Sequence, residues 1–268
     1  MATTIAISGK GGSGKTTLAA MIIRILRNQT KDTILAVDAD PNSSLGLMMG
    51  VELAGTIAQI REDARDRQPS NAGIDRVRLF EYGIQQAITE ADGFDLLTMG
   101  RPEGPHCYCA VNNILRTFLD KLSSQYQYVI IDNEAGMEHL SRRTTNNIDL
   151  LCIVAEQTAL GSVTVQRIYQ LAKQLQISVK EIGIIWNNTR VDVVGNDIDK
   201  FRIQNLEFKI PCFGYIPYDK TVLDASMQGK PIFDLEANSP AFSALWKILE
   251  DKLNLNNLEM TKNSELKT

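Results

Sequence analysis

The sequence predicts a single α/β domain built in three layers, with a mostly parallel sheet of about seven strands flanked by helices. Short, nearly continuous apolar runs alternate with amphipathic helical patterns from one end of the chain to nearly the other. Strands buried on both faces lose the polar alternation of a half-exposed sheet, and their regular interleaving with helices implies parallel strands joined by helical crossovers. No Pro-rich or Gly/Ser-rich linker and no internal repeat divides the 268 residues. One domain over 1–255 is therefore expected, followed by a disordered tail over 256–268 that has few apolar anchors.

Taken in order, the first strand is 3–8, and a glycine-rich loop leads from it into a helix over 15–28. Leu18, Ile22, Ile25 and Leu26 share one face of that helix. The next strands are 33–38 and 95–100, then a helix over 111–123, strands 128–132 and 150–155, and a helix over 162–176. Strands 181–187 and 211–216 and a helix over 241–253 complete the pattern. Residues 61–78 depart from it, being polar, charged and interrupted by Pro69 and Gly73, and are expected to form a surface insertion, with a lid or docking loop as the alternative.

Composition narrows the function classes. With 44% hydrophobic and 22% charged residues the chain can bury a substantial core. A net charge of −4 lacks the concentrated basic surface that displaces counterions from nucleic acid, so no nucleic-acid partner is expected. No apolar run approaches the ~18–20 residues of a membrane span, and the Met1-Ala2-Thr3-Thr4 start lacks the basic residues of a signal peptide. A cytoplasmic protein without membrane attachment is expected. In that setting the four cysteines are not a disulfide framework, and the close pair Cys107-Tyr108-Cys109 reads first as metal-binding or redox chemistry.

Gly9-Lys10-Gly11-Gly12-Ser13-Gly14-Lys15-Thr16 fits the P-loop pattern and lies between a strand and a helix, where that pattern has a physical meaning. Glycines let successive backbone N–H groups converge on phosphate oxygens at the positive end of the helix dipole. ATP or ADP is expected here, held by residues 9–16 and Thr17, with Lys15 on the β- and γ-phosphates and the Thr16 hydroxyl on Mg²⁺.

The form Lys-Gly-Gly-x-Gly-Lys-Thr-Thr, with the extra Lys10, resembles the deviant Walker A motif of the dimeric ATPases that include the nitrogenase iron protein, MinD and ParA. The resemblance implies a homodimer in which Lys10 reaches the partner's nucleotide as an arginine finger does; the plain alternative is a solvated loop lysine. It also implies that Asp40, supported by Asp38, orients the attacking water, that Asp132 is the Walker B aspartate in the second shell of Mg²⁺, and that 132–138 forms switch II. Without the P-loop, a strand-terminal Asp is as often a cap or turn former. Trp186-Asn187-Asn188-Thr189-Arg190 resembles the adenine-reading segment, with Asn188 favoured by spacing and Asn187 retained, and the loop at Pro217 resembles the one that closes over the base.

The same motor drives many tasks, so the output must come from elsewhere. Gly100-Arg101-Pro102-Glu103-Gly104-Pro105, Cys107-Tyr108-Cys109 and Asp132-Asn133-Glu134-Ala135-Gly136-Met137-Glu138-His139 resemble the CooC and AcsF type of accessory ATPase that matures nickel enzymes of carbon monoxide metabolism. Two thiolates make a poor closed site, whereas a two-fold axis would bring four together for Ni²⁺ or Zn²⁺. The resemblance implies a client nickel enzyme, carbon monoxide dehydrogenase or acetyl-CoA synthase. His106 is a third ligand or a bystander, His139 is read as an exposed helix residue, and Cys152 and Cys212 as small core residues. The competing class is an electron-transfer ATPase like the nitrogenase iron protein, with the thiolates on an iron–sulfur cluster. Against it, 135–138 contains no cysteine.

Overall fold

The computed structural model describes residues 2–66, 81–101, 122–134, 147–174, 178–189, 209–236, 239–253 and 255. At its centre lie β1 (Thr3–Gly9) and β5 (Tyr128–Asp132), paired in parallel so that Ile7 stands beside Asp132. On one side follow β2 (Ile34–Asp38), β4 (Phe94–Thr98) and β3 (Thr89–Ala91); on the other, β6 (Asn147–Glu156), β7 (Ser178–Thr189) and β8 (Cys212–Pro217). The strand order is β3-β4-β2-β5-β1-β6-β7-β8, and every pairing is parallel except β3 with β4. The seven expected strands are all present, and β3 makes eight.

β3 has a simple physical origin. Asp92-Gly93 closes a two-residue hairpin between Ala91 and Phe94, with Gly93 at φ 82°, a left-handed conformation that glycine adopts without steric cost. Only three residues long, the strand shows no periodicity in sequence.

Two apolar cores, one per sheet face, explain the continuous hydrophobic runs. Along β6, Leu150, Cys152 and Val154 enter one core while Leu151, Ile153 and Ala155 enter the other. The first core is roofed by α1 (Lys15–Gln29) and by the C-terminal helix Pro240–Leu253, into which Leu255 also packs. The second lies under the helix Ala159–Gln174. Arg24 is buried in α1, where its guanidinium donates to the Ile232 and Leu235 carbonyls and lies over the Phe242 ring.

Among the described residues five helical segments were not expected. They are α2 (Ser44–Met49), α3 (Ile57–Asp66), a helical stretch over 81–87, the helix Lys220–Gln228 and a short 3-10 turn at Ile232–Asp234. α3 corrects the expected insertion, since 61–66 continues a helix, capped by hydrogen bonds between Thr56 and Gln59. Residues 67–78 and the expected helix over 111–121 lie outside the described residues, as does the tail 256–268. Among the described residues no helix is long and apolar enough to cross a membrane.

Candidate functional site

Residues 9–17 turn the chain from β1 into α1 at the carboxyl edge of the sheet, where ligands of open α/β folds bind. Gly12 and Gly14 have φ of 79° and 89°, and a Cβ on Gly14 would lie 2.3 Å from Asn187 Nδ2. Ser13 N donates to Lys10 O at 3.2 Å, tightening the loop. Lys15 is 7% exposed, and its ammonium donates back to Lys10 O at 3.4 Å. The side chain of Lys10 is exposed.

The ends of β4, β2 and β5 set Thr98, Asp38 and Asp132 side by side in register. All three are essentially inaccessible. Asp38 Oδ1 accepts from Asp40 N at 3.1 Å and Oδ2 from Leu45 N at 2.9 Å, so this carboxylate folds the 39–45 turn. Burial pushes its pKa up to about 7; Asp132 adds to the rise, and the Leu45 and Asp40 amides oppose it. Asp40 is half-buried, and its Oδ1 accepts from both the backbone and side-chain amides of Asn42 at 2.9 Å.

Both Asp132 oxygens are buried and make no well-formed hydrogen bond, the Thr16 hydroxyl lying beside them but outside good geometry. Burial raises the pKa to about 6, against the opposing pull of the Thr16 hydroxyl and the Lys15 ammonium. Unpartnered buried acceptors call for an explanation, and acceptor-only oxygens next to a hydroxyl match a hydrated hard cation. The donor set therefore fits Mg²⁺, which when bound would neutralise phosphate charge.

On the other side of the loop a cleft of about 600 Å³ runs from Gly12 and Gly14 to Pro217. Asn187 and Asn188 both line it. Asn187 Nδ2 donates to Ser13 O at 2.9 Å and so braces the P-loop. Asn188 is exposed, sits at φ 53° and donates to Glu156 Oε1 at 3.4 Å. A left-handed non-glycine residue in a cleft is the kind of local strain that clusters at functional sites.

The segment Ile216-Pro217-Tyr218-Asp219 resembles in sequence the loop that closes over the base, but the structural role of the Asp219 side chain was missed. Its Oδ1 accepts from Thr221 N and Val222 N, capping the helix Lys220–Gln228, while Oδ2 accepts from Ala241 N. One carboxylate thereby joins the two helices that wall the cleft. The signal was present in Asp219 as a helix cap and Gly229, at φ 64°, as its end.

Cys107, Cys109 and His106 lie outside the described residues, as do 135–146 with Glu138 and His139. Cys152 is a core residue, its thiol pushed up to about 12 by burial and hence inert. Cys212, on β8 at the edge of the described sheet, is half-buried and packs against the second core from its margin; its Sγ contacts Gly214 O at 3.8 Å. Among the described residues no group of three His, Cys, Asp or Glu could hold a metal ion.

A glycine loop between strand and helix, with a buried lysine and a strand-end aspartate beside it, defines a nucleotide-binding P-loop ATPase. The chain belongs to the CobQ/CobB/MinD/ParA nucleotide-binding domain family, whose model matches residues 4–232. It is 37% identical over 253 residues to an ATP-binding protein of Methanocaldococcus jannaschii, covering 93% of this chain and 98% of that one. It is 30% identical over 249 residues to the carbon monoxide dehydrogenase accessory protein CooC of Rhodospirillum rubrum, covering 88% and 90%. The fold matches the septum site-determining protein MinD of Pyrococcus horikoshii complexed with Mg-ADP at TM-score 0.66 and 21% identity, covering 94% and 96%. ATP or ADP with Mg²⁺ is the ligand expected of this family.

Proposed function

We propose that the chain is an ATP-hydrolysing metallochaperone that binds Ni²⁺ or Zn²⁺ through Cys107 and Cys109 at a homodimer interface and assists nickel insertion into carbon monoxide dehydrogenase or acetyl-CoA synthase. The observation that carries this reading is the 30% identity to the carbon monoxide dehydrogenase accessory protein over 88% of the chain. The Cys-x-Cys pair gives that likeness a chemical meaning. Two thiolates per chain become a tetrahedral set only when doubled, and such a shared, opened site suits a metal that must be released. ATP/ADP and Mg²⁺ occupy the P-loop site, with Lys10, Lys15, Asp38 and Asp40 serving hydrolysis.

Changing Cys107 and Cys109 together to Ser is expected to remove about one bound ion per dimer, measured by elemental analysis of purified protein. Unchanged stoichiometry would defeat the site. A brown protein carrying iron and acid-labile sulfide would instead establish the electron-transfer reading.

Dimer-dependent hydrolysis gives a separate prediction. The exposed Lys10 side chain takes no part in holding its own loop, whose contacts use the Lys10 carbonyl. Lys10→Ala is therefore expected to retain ATP binding while hydrolysis falls about 10²–10³-fold, the usual cost of one lost charge-stabilising donor. Equal loss of binding and hydrolysis would place Lys10 on its own subunit's nucleotide.

A further inference from the structure

Asn133 follows Asp132 and is 1% exposed. Its backbone N–H donates to Ile7 O at 3.1 Å. Its side-chain Nδ2 donates to the same carbonyl at 2.9 Å and approaches Ser8 Oγ at 3.3 Å. Because a carbonyl only accepts, the amide orientation is fixed: Nδ2 faces Ile7, and Oδ1 is the other atom. That Oδ1 is buried and has no partner.

The placement matters because Ile7 and Ser8 lead into the P-loop, and Asn133 is where the chain leaves β5. The β1–β5 ladder ends at Ile7 beside Asp132, and the Asn133 side chain adds one more tie beyond it. Stability alone gives little reason for an amide here. Ile7 O already accepts the Asn133 backbone N–H, so an apolar side chain of similar shape would leave that carbonyl satisfied and remove a buried orphan acceptor, losing in exchange the longer 3.3 Å bond to Ser8 Oγ. A buried acceptor without a partner, Asn133 Oδ1, thus stands next in sequence to the buried Asp132 carboxylate, which makes no well-formed hydrogen bond and has the Thr16 hydroxyl beside it, where the donor set fits hydrated Mg²⁺.

We infer that Asn133 is a positioning residue for the nucleotide's metal: its amide N–H groups fix the side chain to β1, and its Oδ1 accepts a hydrogen bond from the hydration shell of nucleotide-bound Mg²⁺. The inference rests on nucleotide binding at the P-loop and is independent of any metal carried by the cysteines. Partners beyond the ligating shell usually contribute 10–100-fold to metal affinity. It also provides a direct tie between the metal and the strand entering the P-loop.

The test is a fluorescent ADP analogue titrated into wild type, Asn133→Leu and Asn133→Ser, in EDTA and then across a Mg²⁺ series. Affinity in EDTA is expected to stay within about twofold in both variants, and Mg²⁺ affinity of the ADP complex to fall about tenfold in the Leu variant. The Ser variant, with one short hydroxyl acceptor, is expected to fall between. A purely structural role would weaken both affinities together and lower the melting temperature. Wild-type Mg²⁺ affinity in either folded variant overturns the inference, and Ser provides the measurement if Leu does not fold. Failure of wild type itself to bind ADP would overturn the nucleotide site instead.

Discussion

Lys15→Ala is expected to abolish ATP hydrolysis, with a fall of at least about 10²–10³-fold in phosphate release. Lys15 is 7% exposed, and its ammonium donates to Lys10 O in its own loop. With one carbonyl contact and the Asp132 carboxylate near it, the ammonium keeps donors free, which the proposed γ-phosphate would take up. Phosphoryl transfer asks the protein for positioning and charge neutralisation, so loss of the central cation is not made up by neighbours. The variant has a second expected signature. Lys15 is one of the two groups holding the Asp132 pKa down, so its removal drives that pKa above about 6. Near-normal hydrolysis would show that Lys15 is not the phosphate lysine.

Asp132→Asn is expected to stabilise the nucleotide-free protein above neutrality while destroying hydrolysis. The carboxyl has an ordinary value of 3.8 and is raised to about 6 in the fold, chiefly by burial. A group raised on folding contributes stability that is fully present below its unfolded value and lost as pH rises through the folded one. Nucleotide-free protein therefore weakens from about pH 4 through pH 6 at Asp132 and through pH 7 at Asp38. Two units at Asp132 correspond to about 3 kcal/mol of order-of-magnitude destabilisation at pH 8. Removing it raises the melting temperature by roughly 5–10 °C for a domain of this size. Below pH 4 the two proteins should melt together, and thermal melts across pH check both limbs. A variant less stable than wild type at pH 8 would mean that the unpartnered oxygens carry no strain.

The same acidic pair explains why Mg²⁺ and nucleotide should stabilise the fold. Ligand supplies donors to acceptors that the apoprotein leaves unmet, and whatever binds only the native state adds stability by mass action. A site prepared for a ligand is unfavourable without it: Asp132 and Asn133 hold the buried acceptors concerned, whereas both Asp38 oxygens are already met by the Asp40 and Leu45 amides.

How much was legible in sequence varied with the range of the interactions. All seven expected strands are present because each is a local apolar run, and burial on both faces imposes that pattern directly. Shorter elements escaped. α2 has six residues with Gly46 inside it, and Gly46 is tolerated because a Cβ there would lie 2.8 Å from Leu53 Cδ2. The helix Lys220–Gln228 buries only Ala225, so it offered no apolar stripe to read.

The sequence by itself determined the P-loop, the strand-end aspartates, the three-layer architecture and the Cys107-Tyr108-Cys109 pair. These are features of contiguous residues, set by backbone freedom at glycine and by the period of burial. Only the tertiary structure decided that Asn187 braces Ser13, that Asp219 joins the two cleft helices, and that Asn133 is tied to Ile7. Asn187 and Ser13 are 174 positions apart and Asn133 and Ile7 are 126 apart. Contacts of that separation depend on strand order and register, which arise when the whole sheet packs between its two cores and not from any local stretch of chain.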